Sequence, residues 1–516
     1  MAGALGHLLA LWRSGRCLAR YRVLEVLDRG GPLPLSLRLA RWIVGLGAGR
    51  AADPGAPLGT RLAKALEALG PAYIKLGQAL ATRPDVIGAD TATALRALQD
   101  RLAPFDSARA HDTVASELGR PLSDIFTSFD DQPVAAASIA QVHRATTSDG
   151  RAVAVKILRP GIEARFARDL ALFRWAARQL EAWNVKSRRL RPIAVVETLA
   201  EMVARELDLR LEAAAASELA DNMAGEPGYH IPAVDWQRTA RRVLTMDWAE
   251  GAPLTDLQAL AARGIDTRPI ATRLVRVFLT QAMRDGFFHA DLHQGNLLIA
   301  EDGTVTAVDF GIVGRLDRPS RRYLAQILYG FLKRDYTRIA QVHFDAGFVP
   351  AHHRVADFAA AMRAIGEPIM GRPVKDISAG HLLAQLFATT ERFDMATQPH
   401  LILLQKTMVM VEGLALALDP DINMWDAAAP VLEGWMREAM GPEARAADAI
   451  HDLVGLARRL PGVLAALEAW AENAAASPGA APPPPRAAPD APAWWLFLGV
   501  LTGATAAGVV FLLSQM

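Results

Sequence analysis

Three polar residues in the second half of the sequence have the side chains and the order needed to hold a metal–nucleotide complex and to move a phosphoryl group. Asp291 ends the run His-Ala-Asp, Asn296 follows five positions later, and Asp309 opens the run Asp-Phe-Gly. A carboxylate such as that of Asp291 can accept the proton of an attacking hydroxyl or orient a nucleophile. Asn296 and Asp309 offer hard oxygen ligands, which suit Mg²⁺ bridging nucleotide phosphates. The pattern therefore predicts a catalytic Asp291 and a magnesium site at Asn296 and Asp309.

The segment between Asn296 and Asp309 is typical of a short β-hairpin. Residues 297–299 and 305–308 have strand character, and Asp302-Gly303 between them is a common turn pair. An Asp, an Asn, a hairpin and then Asp-Phe-Gly, in that order, form the phosphoryl-transfer pattern of kinase-like folds. Each short motif alone can arise by chance in a large protein. Their order, with a hairpin between them, favours a functional site.

A lysine inside a strand is the next candidate. Residues 151–158 alternate so that Ala154 and Lys156 share one face, opposite a β-branched face. Burying a lysine is costly without a partner, and in kinases the lysine of such a strand holds the α- and β-phosphates. Glu206 interrupts the apolar stripe of a helix expected from about 195 to 219, so it is the predicted partner of Lys156. The alternative is an edge-strand lysine that points to solvent.

Two further acidic residues lie on another face of that expected helix. Asp208 and Glu212 share this face with Arg205 and could meet a second cation. The alternative is a solvated charge cluster.

Charge and cysteine content restrict the class of protein. The 56 basic and 55 acidic residues nearly cancel, so the sequence indicates no nucleic-acid partner. The single cysteine, Cys17, cannot form a disulfide within the chain, which fits a reducing compartment. The mean hydropathy of +0.14 is high for a soluble enzyme.

The C-terminal region accounts for part of that hydropathy. Residues 494–513 carry no ionisable side chain and have the length of a bilayer-spanning helix, with Trp494 and Trp495 at its start. A buried soluble helix is the alternative. The preceding residues, 471–493, form a Pro/Ala-rich linker. The sequence therefore predicts a C-terminal membrane anchor.

The whole set of motifs resembles the UbiB family of atypical kinase-like proteins over roughly residues 20 to 420. Three hallmarks of that family occur in order: Lys75-Leu76-Gly77-Gln78 as the Lys-x-Gly-Gln motif, Ala135-Ala136-Ala137-Ser138 as the Ala-rich nucleotide loop, and Glu206-Leu207-Asp208 as the Glu-x-Asp motif. The resemblance implies ATP or ADP with Mg²⁺ as cofactors.

The resemblance also extends the predicted site. It implies catalytic roles for Lys75 and Lys156 beside Asp291, and it places Lys75 near the Glu-x-Asp region as a cation for Asp208 or Glu212. The residues expected to contact nucleotide are Gln78, Val134, Ala135, Ala136, Ala137, Ser138, Ile139, Ala140, Gln141, Val142, Ala154, Lys156, Glu206, Asp208 and Glu212.

The departures from ordinary kinases bear on activity. Kinases close a Gly-rich loop over the phosphates because glycine tolerates positive φ, whereas alanines restrict the backbone. The resemblance implies that the Lys-x-Gly-Gln helix lies where a protein substrate would dock, and no Ala-Pro-Glu run follows Asp309. The expected activity is ATP hydrolysis, or phosphorylation of a small lipid-like molecule, in support of ubiquinone (coenzyme Q) biosynthesis. A protein kinase with an unusual substrate and a non-catalytic nucleotide-binding scaffold are the alternatives.

The expected fold class is α+β: a two-lobed protein-kinase-like fold with a helical N-terminal extension and a C-terminal transmembrane helix. The expected partners are membrane lipid, polyprenyl quinone precursors and other ubiquinone-biosynthesis proteins, and a homodimer is left open. The expected location is the bacterial inner (cytoplasmic) membrane, single-pass, with the catalytic domain in the cytoplasm, although the family also occurs in organelles. The expected boundaries are 1–105 for the extension, 106–251 for the N-lobe with inserted helices, 252–470 for the helical C-lobe, 471–493 for the linker and 494–513 for the transmembrane helix.

Overall fold

The computed structural model describes residues 2–25, 42, 44–45, 55–81, 87–96, 98, 103–183, 191–368, 389–390, 392–395 and 399–439. These residues form two compact units. The first unit takes its described residues from 1–212 and 234–248, and the second from 213–233 and 249–486. Each unit combines helices with β-strands, which confirms the predicted α+β class.

The first unit begins with a group of helices and continues into a sheet with further helices. Its helices are α1 Ala2–Arg20, α2 Leu58–Leu69, α3 Pro71–Ala81, α4 Ala89–Arg96, α5 Ser107–Leu118, α6 Leu122–Ile125, α7 Ile162–Trp183, α8 Pro192–Glu206 and the start of α9 Leu209–Met223. Pro71 is the first residue of α3, where its missing N–H costs nothing.

Helix α3, which carries the Lys-x-Gly-Gln motif, is packed against α2 and α4. Leu66, Leu80 and Leu95 belong to the apolar core that these helices share. A Cβ on Gly77 would lie 2.4 Å from Leu98 Cδ1 and 2.7 Å from Leu66 Cδ1. The glycine of the motif therefore allows neighbouring helices to approach closely.

The sheet of the first unit is antiparallel. Its strands are β1 Phe126–Phe129, β2 Ala135–Ala136, β3 Ala140–Thr147, β4 Ala152–Leu158 and β6 Val243–Asp247, in the order β1-β3-β4-β6 with β2 also paired to β3. Val153, Val155 and Ile157 are fully buried, whereas Ala154 and Lys156 are only partly buried. The predicted alternation along β4 is therefore confirmed from Val153 to Ile157, with the β-branched face against the core. It ends at Leu158, which was expected on the face of Lys156 but is fully buried.

The helix predicted from 195 to 219 is interrupted, which corrects the sequence-based expectation. α8 ends at Glu206 and α9 begins at Leu209. Asp208 Oδ1 accepts a hydrogen bond from Arg210 N at 3.2 Å. A side chain that caps the first turn in this way competes with a continuous helix and favours a new start.

The second unit contains two small sheets. Its strands are β5 Tyr229–His230, β7 Ala252–Pro253, β8 Phe287–His289, β9 Leu297–Ile299, β10 Val305–Ala307 and β11 Val313–Arg315. One sheet has the order β5-β10-β9-β7, and the other pairs β8 with β11. The predicted hairpin is confirmed as β9 and β10, and Gly303 takes φ +80° in its turn. That left-handed backbone explains the glycine at this position.

Helices surround these strands. They are the rest of α9, α10 Leu257–Ala262, α11 Arg268–Leu279 with a π-helical turn Thr280–Asp285, α12 Arg318–Leu332, α13 Tyr336–Asp345, α14 Val355–Gly366, α15 Pro399–Leu418 and α16 Met424–Ala439. Tyr336, Ile339 and Phe358 are among the residues that form a buried core between α13 and α14.

The predicted membrane helix, residues 494–513, and the linker before it lie outside the described residues. Within the described ranges, no helix has both the length and the apolar character that a bilayer crossing requires. The predicted single-pass location in the inner membrane is corrected on this finding, because no described helix can serve as its span.

Candidate active site

The strand lysine of the first unit forms a buried ion pair, but not with the predicted partner. Lys156 Nζ lies 2.6 Å from Glu212 Oε1, and the two side chains are 18% and 8% exposed. The prediction that Glu206 pairs with Lys156 is wrong. α8 ends at Glu206 and a new helix begins at Leu209, and the first turn of α9 presents Glu212 to Lys156 on β4. The sequence supplied both acids but not the helix break that decides between them.

The Lys-x-Gly-Gln and Glu-x-Asp motifs meet in a second buried ion pair. Lys75 Nζ on α3 lies 2.9 Å from Glu206 Oε1 and 2.8 Å from Oε2 at the end of α8. Their side chains are 9% and 12% exposed, so the pair is largely removed from water. The expected proximity of Lys75 to the Glu-x-Asp region is confirmed. The expected acid was Asp208 or Glu212, whereas the structure pairs Lys75 with Glu206.

Asp208 pairs with a neighbour in sequence. Arg210 Nε and Nη2 donate to Asp208 Oδ1 and Oδ2 at 2.9 Å and 2.7 Å. This hydrogen bonding from Arg210 lowers the pKa of Asp208. Asp208 therefore remains charged and caps the start of α9, whose first turn contains Glu212.

The Ala-rich loop is a tight turn with an ordinary backbone. Ala137 N donates to Ala140 O at 2.8 Å and closes the turn between β2 and β3. Four non-glycine residues in the described part of the chain have positive φ, and none of them lies within 134–142. The loop thus uses no left-handed position that would require glycine, which explains how alanine is accommodated.

Arg159, which the sequence-based reasoning did not single out, clamps this turn. Its Nε and Nη2 donate to Ala137 O at 3.1 Å and 2.9 Å, and Nη2 also donates to Ala103 O at 2.8 Å. The backbone N–H of Arg159 bonds Ile139 O at 2.8 Å. Arginine is common at the end of a strand on a protein surface, so the position of Arg159 in the sequence did not predict this role.

The other predicted nucleotide residues of the loop differ in exposure. Val134 and Ala135 are exposed, Ala136, Ala137, Ile139 and Val142 are half-buried, and Ser138, Ala140 and Gln141 are buried. Gln78 on α3 is half-buried.

The side chain of Gln141 takes part in a buried hydrogen-bond network next to the loop. Its Oε1 accepts from Phe105 N at 3.0 Å, and its Nε2 lies 2.7 Å from His143 Nε2. His143 Nδ1 lies 2.7 Å from Asp130 O. A neutral ring with its proton on Nδ1 satisfies both contacts, since Nε2 then accepts from the amide of Gln141. A nucleotide contact from Gln141 therefore depends on its backbone.

We expect acid to destabilise the protein partly through His143. Burial lowers the pKa of this imidazole below the ordinary 6.5. At pH values below about 6.5 the unfolded state therefore binds more protons, so the stabilising contribution of the neutral ring is lost as pH falls toward the folded-state pKa. Thermal unfolding between pH 8 and pH 5 should show a steeper fall in midpoint for the wild type than for His143→Gln. An offset between the two proteins that stays constant with pH contradicts this expectation.

In the second unit, the loop after β8 holds the predicted catalytic carboxylate. His289 is buried, and burial lowers its pKa, so its neutral ring accepts a hydrogen bond at Nδ1 from Asp291 N at 3.1 Å. Gln281 Oε1 accepts from His289 N at 3.1 Å. The histidine of the His-x-Asp motif thus fixes the backbone of Asp291.

The two predicted metal ligands are linked to this loop by hydrogen bonds. Asn296 Nδ2 donates to Asp291 O at 3.1 Å, which leaves the amide oxygen as the ligand atom for a metal. Val308 N, next to Asp309, donates to Asn296 O at 3.1 Å. Asp309 Oδ1 accepts from Gly311 N at 3.0 Å. One amide oxygen and one carboxylate suit Mg²⁺, which prefers oxygen ligands and completes its shell with water and phosphate.

A lysine from a distant helix reaches Asp291. Lys406 Nζ on α15 lies 3.2 Å from Asp291 Oδ1, and His293 Nε2 lies 3.7 Å from Oδ2. Lys406 was missed because a single lysine on a helix is most often a surface residue. The sequence offered no spacing or motif that ties it to a loop 115 residues earlier.

Known proteins similar to this chain identify its family. A family model described as the ABC1 atypical kinase-like domain matches residues 97–343, and one described as the UbiB helical domain matches residues 362–423. The chain is 43% identical over 443 residues to the "Probable protein kinase UbiB" of Marinobacter nauticus, covering 84% of this chain and 80% of that one. It is 42% identical over 465 residues to the protein of that name from Pseudomonas entomophila, covering 87% and 84%.

A solved structure, the Rv3197–erythromycin complex from Mycobacterium tuberculosis, matches with a TM-score of 0.49 and 25% identity over 70% of this chain and 92% of that one. The relatives at 42–43% identity cover most of both chains. The chain therefore belongs to the UbiB family of ABC1 atypical kinase-like proteins, and the predicted kinase-like fold is confirmed.

Proposed function

We propose that this UbiB-family chain is an ATPase or small-molecule kinase that binds Mg-nucleotide and supports ubiquinone biosynthesis by acting on polyprenyl quinone precursors. The observation that carries the proposal is the buried pair between Lys156 on β4 and Glu212 on α9, at 2.6 Å. A kinase needs this type of lysine–glutamate pair in place to hold the nucleotide phosphates. A lysine kept only for solubility would face water instead.

Each remaining residue has a role in the proposal. Lys156 contacts the phosphates, Asn296 and Asp309 bind Mg²⁺, and Asp291 orients the nucleophile. The backbone of residues 134–142 covers the nucleotide with a turn that differs from a Gly-rich loop. Lys75, Gln78, Glu206 and Asp208 belong to the motifs that set this family apart, and the buried Lys75–Glu206 pair supports a structural role for them inside the first unit.

The choice of a small acceptor rests on the Lys-x-Gly-Gln helix. The family resemblance associates this motif with the exclusion of a protein substrate, so in the proposal phosphate passes to water or to a small phenolic precursor. A protein kinase is the second candidate, because the relatives are named as probable protein kinases. The predicted domain boundaries, the association with other ubiquinone-biosynthesis proteins and the homodimer stay predictions.

A phosphate-transfer assay with the full chain tests the proposal. Radiolabelled Mg-ATP is incubated with the protein, with and without a phenolic quinone-precursor analogue, and label is followed into inorganic phosphate, the analogue and protein. We expect label in phosphate or in the analogue, stimulated by the analogue and lost with Asp291→Asn. Label in a protein acceptor, lost with Lys156→Ala, favours the second candidate. Nucleotide binding without turnover contradicts catalysis and points to a scaffold.

We also expect glycine in the Ala-rich turn to alter nucleotide binding. Ala135→Gly and Ala137→Gly restore backbone freedom worth about 0.5–1 kcal/mol, so the affinities for ATP and ADP should fall unequally, by roughly two- to fivefold. Titration calorimetry with each nucleotide measures the change. Ala224→Gly, in an exposed turn of the second unit, is the matched control. Unchanged affinities in both loop variants count against placing the nucleotide at this turn.

A further inference from the structure

The predicted catalytic carboxylate, Asp291, forms an ion pair with a lysine on a helix that lies far from it in the sequence. Lys406 Nζ on α15 approaches Asp291 Oδ1 to 3.2 Å. The lysine side chain is 43% exposed and the aspartate side chain 26%, so the pair stands at the surface of the second unit. Exposed ion pairs of this kind contribute little to stability, typically about 0–1 kcal/mol. Stability is therefore a weak reason for this contact.

The residue after Lys406 attaches α15 to the same loop. Thr407 is fully buried, and its hydroxyl lies 3.2 Å from Ala290 O and 2.9 Å from Leu403 O. Ala290 immediately precedes Asp291. The single hydroxyl hydrogen of Thr407 is shared between Leu403 O, the nearer acceptor, and Ala290 O. The buried contact with Ala290 places this turn of α15 beside the loop, within reach of Asp291 for the side chain of Lys406.

The two carboxylate oxygens of Asp291 have different surroundings. Oδ2 lies 3.7 Å from His293 Nε2, which is longer than a hydrogen bond. Among the residues that the structure describes, none donates a hydrogen bond to Oδ2, so this oxygen can accept a proton from a bound nucleophile. An ion pair at Oδ1 restricts the rotation of the carboxylate, and a reacting group held in one orientation reacts faster.

The loop has no permanent cation of its own. The residues between Asp291 and Asn296 are Leu-His-Gln-Gly, which include neither lysine nor arginine. The cation comes instead from α15, which lies within the match to the UbiB helical domain, whereas Asp291 lies within the match to the ABC1 domain. The contact joins the segments matched by the two family models at the predicted catalytic carboxylate.

We propose that Lys406 is the positioning residue of the catalytic carboxylate: it holds Asp291 Oδ1 so that Oδ2 faces the nucleophile. The proposal rests on the proposed function, because it assigns Lys406 a part in the same phosphoryl transfer. It makes the helical domain necessary for turnover without a contact to the nucleotide. Removing the ammonium group should then slow the chemical step and leave nucleotide binding intact.

Steady-state ATP turnover by full-length variants tests this role. Lys406→Met should lower kcat by roughly 10- to 100-fold, the cost of misorienting a reacting group, with KM for ATP unchanged. Lys406→Arg should recover most of the rate, because a guanidinium also reaches the carboxylate. In the Asp291→Asn background, Lys406→Met should have no further effect, because Lys406 acts through Asp291.

Two controls separate positioning from structure. Gln405→Met changes the exposed neighbour on the same helix, and Lys333→Met breaks a similarly exposed pair with Glu433 elsewhere in the unit. Both should keep wild-type kcat, and the unfolding midpoint of Lys406→Met should match that of Lys333→Met.

The outcomes distinguish this inference from the proposed function. Wild-type turnover that is lost with Asp291→Asn but kept with Lys406→Met overturns the role of Lys406 and leaves the function standing. A rise in KM without a change in kcat also overturns it, since it makes Lys406 a nucleotide ligand. A loss of kcat that Gln405→Met shares shows a structural effect and overturns it as well. No turnover by the wild type overturns the proposed function and this inference together.

Discussion

We expect Asp291→Asn to lower kcat for ATP turnover by roughly 10²- to 10⁴-fold, the range over which a positioned general base contributes. The amide has nearly the size of the carboxylate but neither its charge nor its capacity to take a proton. Nucleotide binding should persist, because the proposed metal ligands are Asn296 and Asp309. Initial rates of phosphate release, together with calorimetric titration of ATP, measure both effects.

The matched control is Asp302→Asn in the exposed turn of the β9–β10 hairpin. Asp302 Oδ1 accepts from Thr304 N at 2.8 Å, a bond that the amide oxygen of asparagine can also form. This variant should keep wild-type kcat. In a strain that lacks the protein, Asp291→Asn and Asp309→Asn should fail to restore quinone levels while Asp302→Asn restores them. Full restoration of quinone levels by Asp291→Asn or by Asp309→Asn would contradict the proposed catalytic function.

The second large effect should come from the ion pair between Lys156 and Glu212. Lys156→Met leaves a largely buried glutamate without this ammonium group, and breaking a buried pair from one side typically costs about 3–5 kcal/mol. We therefore expect a lower free energy of unfolding and weaker ATP binding. Urea unfolding monitored by circular dichroism, with the midpoint and slope compared, measures the loss of stability.

Double-mutant cycles test which acid is the partner of Lys156. The pair of Lys156→Met with Glu212→Gln should show a coupling of about 0.5–3 kcal/mol, as residues in contact do, and so should Lys75→Met with Glu206→Gln. Lys156→Met combined with Glu206→Gln should be nearly additive. A larger coupling in that third cycle than in the first would restore Glu206 as the partner and reject the pairing seen here.

Local patterns in the sequence were sufficient for the elements that carry the site. The alternation along β4 placed Lys156 opposite the apolar face, and the Asp302-Gly303 pair gave the β9–β10 hairpin, because both depend only on residues near one another in the chain. These features follow from backbone periodicity, which any window of the sequence contains.

The sequence did not allow us to predict which acidic residue pairs with which lysine. An acid can pair with any base that the fold brings near it. The charges of two residues do not reveal whether residues far apart in the sequence will be neighbours in the structure. Lys156 and Glu212 are separated by 56 positions, and Lys75 and Glu206 by 131. The helix breaks after Glu206, so Glu206 and Glu212 lie in different helices, and each pairs with a different lysine. A capping aspartate two residues later was the only local sign of that break.

The sequence by itself therefore determined the family, the kinase-like class and the identities of the candidate residues Lys156, Asp291, Asn296 and Asp309, because motifs and their order record chemistry directly. Only the tertiary structure decided that Glu212 faces Lys156, that Glu206 faces Lys75, and that Lys406 reaches Asp291. Each of these contacts depends on where a helix ends or against which loop it packs. That information resides in the packing of distant segments and has no counterpart in residue spacing.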